Sequence, residues 1–307
     1  MIDGEELELF RASVQQATSS HTGKALDDAL HELGWRDALA ADRRAAVSTM
    51  FELQGRANAT SAALDTVLAT VLGVDAAVVF PPLGRTEPPG DGSTIRGLGT
   101  TALQRRDHAA VAAGDAVVIV DTTELTLHPV GGLDPTMGLL EVAGDGVRVG
   151  ESSEGNVWPS AVAAGQIAVA HELIGASRAM LELARAHAVE RVQFGRPIAA
   201  FQAVRHRLAE SLVAIEATAA ALDAAWEFES PMTAALAKAI AGRSARTVGR
   251  HCQQILAGIG FTTEHPFHRY LRRTLVLDGL LGDARSLTTE VGDGLLTARR
   301  LPLLLPL

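Results

Sequence analysis

Residues 190–206 read E-R-V-Q-F-G-R-P-I-A-A-F-Q-A-V-R-H. Arg191, Gln193 and Phe194 precede Gly195 and Pro197 and offer a cation, an amide and an aromatic face at a tight turn. That set suits a phosphate or nucleotide docked at a helix end. It equally suits a plain connection in which Gly195 stops one helix and Pro197 starts the next. A second stretch, Q-I-L-A-G-I-G-F-T-T-E-H-P at 254–266, places Gln254, Gly258 and Gly260 at another helix end. Glycines there serve a left-handed cap or let a ligand reach the backbone.

Other chemistries find no pattern. His265 and His268 are three apart and His187 stands alone, so no metal is assigned. Ser and Cys lack a nucleophile-elbow context, which leaves hydrolase chemistry unsupported. The net charge of −9, with no dense basic run, argues against nucleic-acid binding. Cys252 is the one cysteine and has no internal disulfide partner, as expected in a reducing compartment. The acidic start M-I-D-G-E-E-L-E-L-F lacks the features of a signal peptide. No run reaches the roughly 20 apolar residues of a membrane span. The expectation is a cytoplasmic protein whose apolar tail, L-P-L-L-L-P-L, docks on the protein or a partner.

The elements that must position these residues can be read from pattern. Hydrophobic residues make up 47% of the chain and aromatics only 4%, so the core rests on Ala, Leu and Val and favours closely packed helices. Residues 5–72 read as helices, with Leu7, Phe10, Val14 and Ala17 on one face. Short β-rich runs come next at 76–80, 116–120 and 147–150, separated by turn clusters such as P-P-G-D-G-S. That loop lacks the lysine and helix of a P-loop and reads as a turn. From 157 the chain reads as an antiparallel bundle of three or four helices of about 25 residues, each about 37 Å long. Val204, Leu208, Leu212, Ile215, Ala219, Leu222 and Trp226 stripe one of them; Ser230-Pro231 opens the next and Pro266 another. The expected fold is mainly α with a small β-domain: a helical domain at 1–73, a reduced β-domain at 74–155 and a helical bundle at 156–307.

The 191–206 stretch resembles the R-x-Q-F-G-x-P-I-x-x-F-Q-x-x-x-H signature of the acyl-CoA dehydrogenase family. The 254–266 stretch resembles its Q-x-x-G-G-x-G-F-T-x-E-x-P, with Ala257 in place of the first glycine. Residues 51–70 are similar to an E-E-L-G-R-A…P-x-x-x-T-V-L-A element of its N-terminal domains. The resemblance implies an FAD whose adenine-diphosphate half is contacted across a subunit interface by Arg191, Gln193, Phe194, Gln254 and Gly258. His206 matches the final histidine, with a packing or capping role.

Two departures stand out. Active members carry a Y-x-x-T-E-P-x-A-G-S-D-like stretch along the flavin ring; here Thr86-Glu87-Pro88 is not followed by A-G-S-D. The family's catalytic glutamate, in R-D-A-x-x-x-x-I-x-E-G-T, falls on Leu281, which accepts no proton. A second family location for that base, near Ala164-Gly165-Gln166, holds no acid either. Asp278 and Asp283 flank the lost position as weak alternatives, Asp278 about 60° round a helix from Leu281. The combination resembles the small, non-catalytic subunit of heteromeric dehydrogenases acting on steroid-derived acyl-CoA. It implies a catalytic acyl-CoA dehydrogenase partner in an α2β2 complex, a bulky acyl-CoA substrate and an electron-transfer flavoprotein as acceptor. The alternatives are a self-sufficient homomeric dehydrogenase with a displaced base, or a non-enzymatic helical scaffold.

Overall fold

A computed structural model describes residues 4–146, 152–154 and 157–299. Five helices come first: α1 (Gly4–Ser20), α2 (Lys24–Glu32), α3 (Trp35–Ala41), α4 (Arg43–Ala57) and α5 (Ala63–Leu72). The Asp42 carboxylate caps α4 by accepting from the Ala45 N–H at 3.0 Å. Val14, Leu26, Trp35, Met50, Phe51 and Leu68 bury the shared face of these helices.

The middle of the chain is β: β1 (Ala77–Val78), β2 (Thr94–Gly99), β3 (His108–Ala113), β4 (Ala116–Asp121), β5 (Thr126–Pro129), β6 (Leu140–Asp145) and β7 (Ser152–Glu154). One sheet runs β1-β3-β4-β7 and another β2-β6-β5. The expected runs at 76–80 and 116–120 fall on β1 and β4; the run at 147–150 lies outside the described residues, as does the apolar tail. The sequence reading missed β2, β3, β5, β6 and β7. β3 is H-A-A-V-A-A, poor in β-formers, and is a strand because β1 and β4 pair it on both sides. The P-P-G-D-G-S loop turns as expected, with the Asp91 carboxylate accepting from the N–H groups of Ser93 (2.9 Å) and Thr94 (2.7 Å).

The C-terminal part holds three long helices, α6 (Trp158–Glu190), α7 (Gln202–Phe228) and α8 (Pro231–Leu256), of 33, 27 and 26 residues. Two shorter ones come after them, α9 (Phe267–Gly279) and α10 (Ala284–Ala298). Ser230 and Thr233 form a capping box at the start of α8, with Pro231 in the first turn. Expected as one helix, the last segment breaks at 280–283, where Leu281 and Gly282 both take positive φ.

α4 crosses α6 at backbone distance. A Cβ on Gly55 would overlap the Glu172 carbonyl oxygen and lie 2.9 Å from the Ala176 nitrogen. One on Gly175 would overlap the Glu52 carbonyl oxygen. Beside this crossing a buried polar chain is satisfied throughout. Arg273 pairs with Glu172 (2.7 Å), Gln54 donates to Glu172 (2.9 Å), and Ser61 donates to Gln54 (2.5 Å). Arg273 also donates to the Thr60 hydroxyl (3.1 Å) and the Ala59 carbonyl. A buried ion pair is tolerable only when its remaining donors and acceptors are met, and here they are.

Candidate functional site

The chain leaves α6 at Glu190, and the Arg191 N–H donates to the His187 carbonyl at 2.9 Å. It then forms a hairpin, not a plain helix–helix turn: β8 (Val192–Gln193) pairs with β9 (Arg196–Pro197). Phe194 and Gly195 sit at its tip with φ of 53° and 77°. Two successive positive φ values make a type I′ turn, the twist a two-residue hairpin needs. Gly195 meets that demand freely; Phe194 does so at a strain cost. Pro197, expected to start a helix, ends the second strand, and α7 begins five residues later.

The turn holds its aromatic ring outward. Phe194 is 92% exposed and touches Phe201 edge-on, with centroids 6.1 Å apart. The Arg196 guanidinium stacks over Phe201 at 4.4 Å, which braces the hairpin base. Gln193 donates to the Val192 carbonyl at 2.8 Å, and Arg191 is exposed. His206 is exposed too and lies 3.4 Å from the Gln202 amide.

At the end of α8 the glycines do not form a left-handed cap. Neither Gly258 nor Gly260 has positive φ; Ala257 takes it instead, at φ 52°, ψ −132°. The residue that replaces glycine thus keeps a backbone shape that glycine favours. A Cβ built on Gly258 meets nothing within 4 Å, so the backbone there is open to a ligand. Gln254 is exposed beside it, as are Ile259 and Phe261.

These residues share one end of the bundle. α6, α7 and α8 pack against one another, joined by short connections, which puts the C-termini of α6 and α8 together. His265, just past the α8 end, has its pKa lowered by burial and by neighbouring His187 on α6 and His268. The end is basic: residues 185–207 carry five arginines against one acid, Glu190, in a chain of net charge −9. The sequence reading saw no dense basic run because these arginines are spaced along the end of α6, the hairpin and the start of α7.

The second cluster surrounds Leu281. α9 ends at Gly279, so Leu281 is not on the helix that carries Asp278 and the expected 60° relationship does not exist. Leu281 is 1% exposed with φ 56°. Gln166 donates to its carbonyl at 2.9 Å. A Cβ on neighbouring Gly165 would overlap Leu281 Cδ1 and sit 2.8 Å from Leu68 Cδ1. The two places at which the resemblance puts a base are therefore one place, and it is filled by leucine.

The flanking acids are committed elsewhere. Asp278 is fully buried; Arg246 donates to its Oδ2 from Nε (2.9 Å) and Nη2 (2.5 Å), and the Ala284 N–H donates to Oδ1 (3.2 Å). Buried Lys238 donates to the carbonyls of Asp278 (2.8 Å) and Gly282 (3.1 Å). Burial pushes its pKa down to about 8, against the pull of Asp278 and Asp283. Asp283 caps α10 through the N–H groups of Arg285 and Ser286.

One acid was missed. A cleft of about 520 Å³ opens between Thr86, Pro88, the β3–β4 turn and the starts of α6 and α8, and Glu290 on α10 lines it with Trp158 and Gln166. Partial burial, then the nearby Glu87 charge, raise the Glu290 pKa, while the Thr86 hydroxyl faces it at 3.5 Å. Its only sequence signal is an acid three residues past the apolar Leu287, which is indistinguishable from a solvated helix position.

The profile of the acyl-CoA dehydrogenase C-terminal domain matches residues 156–296. Acyl-CoA dehydrogenase IpdE2 of Mycobacterium tuberculosis is 29% identical over 305 residues, covering 89% of this chain and 92% of the relative. IpdE2 of Mycolicibacterium smegmatis is 30% identical over 211 residues, 66% of each chain. The chain belongs to the acyl-CoA dehydrogenase family. Solved structures carry the same acyl-CoA dehydrogenase fold. A variant of the Tcur3481-Tcur3483 steroid ACAD superposes with a TM-score of 0.81 at 21% identity, over 96% of this chain and 99% of that one. The ChsE4-ChsE5 complex from Mycobacterium tuberculosis gives 0.76 at 19%, over 98% and 99%. Among the described residues, no helix of this family member is long and apolar enough to cross a membrane and no cluster suits a metal ion.

Proposed function

We propose that this chain is the non-catalytic subunit of a heteromeric FAD-dependent acyl-CoA dehydrogenase, completing the flavin site of a catalytic partner in an α2β2 complex. The observation that carries the reading is Leu281 seated against Gly165 at the only place where a base is expected. A general base must reach the α-proton of the thioester, and no carboxylate stands there. Asp278 and Asp283 are each held by two or more donors from the protein, which argues against a displaced base at either.

The residues at the bundle end fit an FAD contributed from outside the protomer. FAD, when bound, supplies the hydride acceptor. Arg191 would hold its pyrophosphate by charge-assisted hydrogen bonds. Phe194, exposed and without a ring partner beyond Phe201, would cover it from water. Gln254 would bond the adenosine side, and open Gly258 would let it approach the backbone. On the protomer's own ring side the fit is poor, because T-E-P at 86–88 lacks its A-G-S-D continuation.

Two structural relatives, a steroid ACAD and the ChsE4-ChsE5 complex, support a two-chain assembly and a bulky, steroid-derived acyl-CoA. An electron-transfer flavoprotein is the expected acceptor. The test is to purify the chain alone and co-expressed with a catalytic partner, then measure flavin content and dye-coupled oxidation of a bulky acyl-CoA. The reading expects flavin and turnover in the complex only. Flavin-bound, active homomer would overturn it in favour of a second reading, a self-sufficient dehydrogenase whose base is Glu290, the one acid on the cleft with a raised pKa.

A further inference from the structure

A further cleft of about 510 Å³ lies between the end of α1, the α4–α5 turn, the turn at 134–136 and the first turns of α9. We propose that it binds a phosphorylated, hydroxyl-bearing small molecule of sugar-phosphate size, with the phosphate on Arg269 and Arg272 and the hydroxyls on Asn58 and Asp134.

The charge balance of the lining comes first. Arg269, Arg272, His21 and His268 line the cleft, and Asp134 is the one acid among the lining residues. Neither arginine side chain makes an ion pair or hydrogen bond with the described residues, whereas that of Arg273, the next residue after Arg272, is spent on Glu172, Thr60 and Ala59. The two guanidiniums stand three residues apart on α9, so they project from one face. Two unpaired, planar forks on one face suit a single tetrahedral anion.

The second observation is independent of charge. Asn58 Oδ1 and Asp134 Oδ2 are both buried acceptors with no donor in the protein. Both residues line this cleft. Asp134 Oδ1, by contrast, already accepts from Thr136 N–H (3.2 Å) and hydroxyl (2.5 Å). Buried oxygens are rarely left without a donor, so two in one cleft call for a ligand that brings hydroxyls. Sulfate brings none, and any small inorganic anion seated on the two arginines would leave most of the volume empty; a ribosyl phosphate supplies both groups.

The experiment monitors thermal unfolding and calorimetric binding of the full chain with ribose 5-phosphate, inorganic phosphate, sulfate and ribose. Ribose 5-phosphate is expected to raise Tm with dose and to bind at least tenfold more tightly than the other three. Arg269→Gln with Arg272→Gln should weaken it tenfold or more while leaving ligand-free Tm unchanged, since both side chains are exposed and unpaired. Arg243→Gln, at an exposed position on α8 outside the cleft lining, should leave it intact. Equal response to sulfate, no response, or an unaffected double variant would overturn the site. Flavin content of the co-expressed complex separates this site from the bundle-end motif. It should stay unchanged in the double variant, and its loss would reassign these arginines to the flavin and sink the proposal.

Discussion

Leu281 occupies the volume that a side chain at Gly165 would need. The two residues are far apart in sequence and complementary in shape: a Cβ on Gly165 would overlap Leu281 Cδ1. Leu281 reaches that slot with φ 56°, from a turn fixed by Lys238, Gln166 and the Asp278–Arg246 pair. So much holding of one apolar residue means that the filled slot is part of the fold.

Such a matched pair has a signature in stability. Gly165→Ala should cost about 1–3 kcal/mol by overpacking and Leu281→Ala about 2–5 kcal/mol by leaving a cavity. The double variant should cost clearly less than the two together, because the added methyl enters the vacated space. Urea titration of the four proteins measures the coupling; strict additivity would show that the side chains do not compete for one volume.

The same residue tests the chemistry. Leu281→Glu in the co-expressed complex should not add a second active site, because the flavin-ring stretch remains absent. Asp278→Asn and Glu290→Gln should leave dye-coupled turnover of the complex near the wild-type value, while replacing the partner's base with an amide should lower it by about 10²–10⁴. Asp278→Asn will still cost stability, about 1.5–3 kcal/mol, through its charge-assisted bonds from Arg246. A turnover loss confined to Glu290→Gln would move the base onto this chain.

At the bundle end, Arg191→Ala should release flavin from the complex, with a charge-assisted contact worth about 1.5–3 kcal/mol and hence a roughly ten- to hundredfold weaker affinity. Phe194→Gly should do two opposing things. It removes the aromatic cover and so weakens flavin binding, yet it relieves the positive φ of a non-glycine residue and so raises Tm. Flavin content unchanged by both variants would remove the bundle end from the cofactor site.

Asp65 on α5 sets a pH dependence of unusual sign. It is 4% exposed, accepts from the Thr100 hydroxyl (2.6 Å) and the Val78 N–H (3.2 Å), and burial raises its pKa from 3.8 to about 6. The folded chain therefore holds this proton where the unfolded chain releases it. Its contribution is complete below about pH 4 and is lost as pH rises through 6, on the order of 3 kcal/mol in all. Asp65→Asn, which can accept from the Val78 N–H through Oδ1 and donate from Nδ2 to the Thr100 hydroxyl, should be more stable than wild type at about pH 7.5 and lose that advantage near pH 4. Parallel stability curves across that range would refute the assignment.

The sequence was most legible where pattern is local. The caps at Ser230 and Pro231, the stripe through Ile215 and Leu222, and the strand at β4 are all set by neighbours a few residues away. It was least legible where a distant partner decides. The alanines of β3 become strand only between β1 and β4. The hairpin at Phe194 hides behind a glycine and a proline that also spell a helix boundary. The motif residues could be named from their spacing. Their gathering at one basic end needs three helices to pack, and Gln166 meets Leu281 only after α9 is broken at Gly279.

The glycine crossing of α4 and α6 bears on how the molecule comes apart. Gly55 and Gly175 bring the two backbones within a side chain's width, and Arg273 threads its guanidinium from α9 to the carbonyl of Ala59 and the carboxylate of Glu172. Heat cannot separate the N-terminal helices from the bundle without stranding a buried cation and its counter-ion in the same step. The two helical regions should melt in one cooperative transition, and the C-terminal half expressed by itself should expose a charged seam and fail to hold the helix ends on which a cofactor would rest.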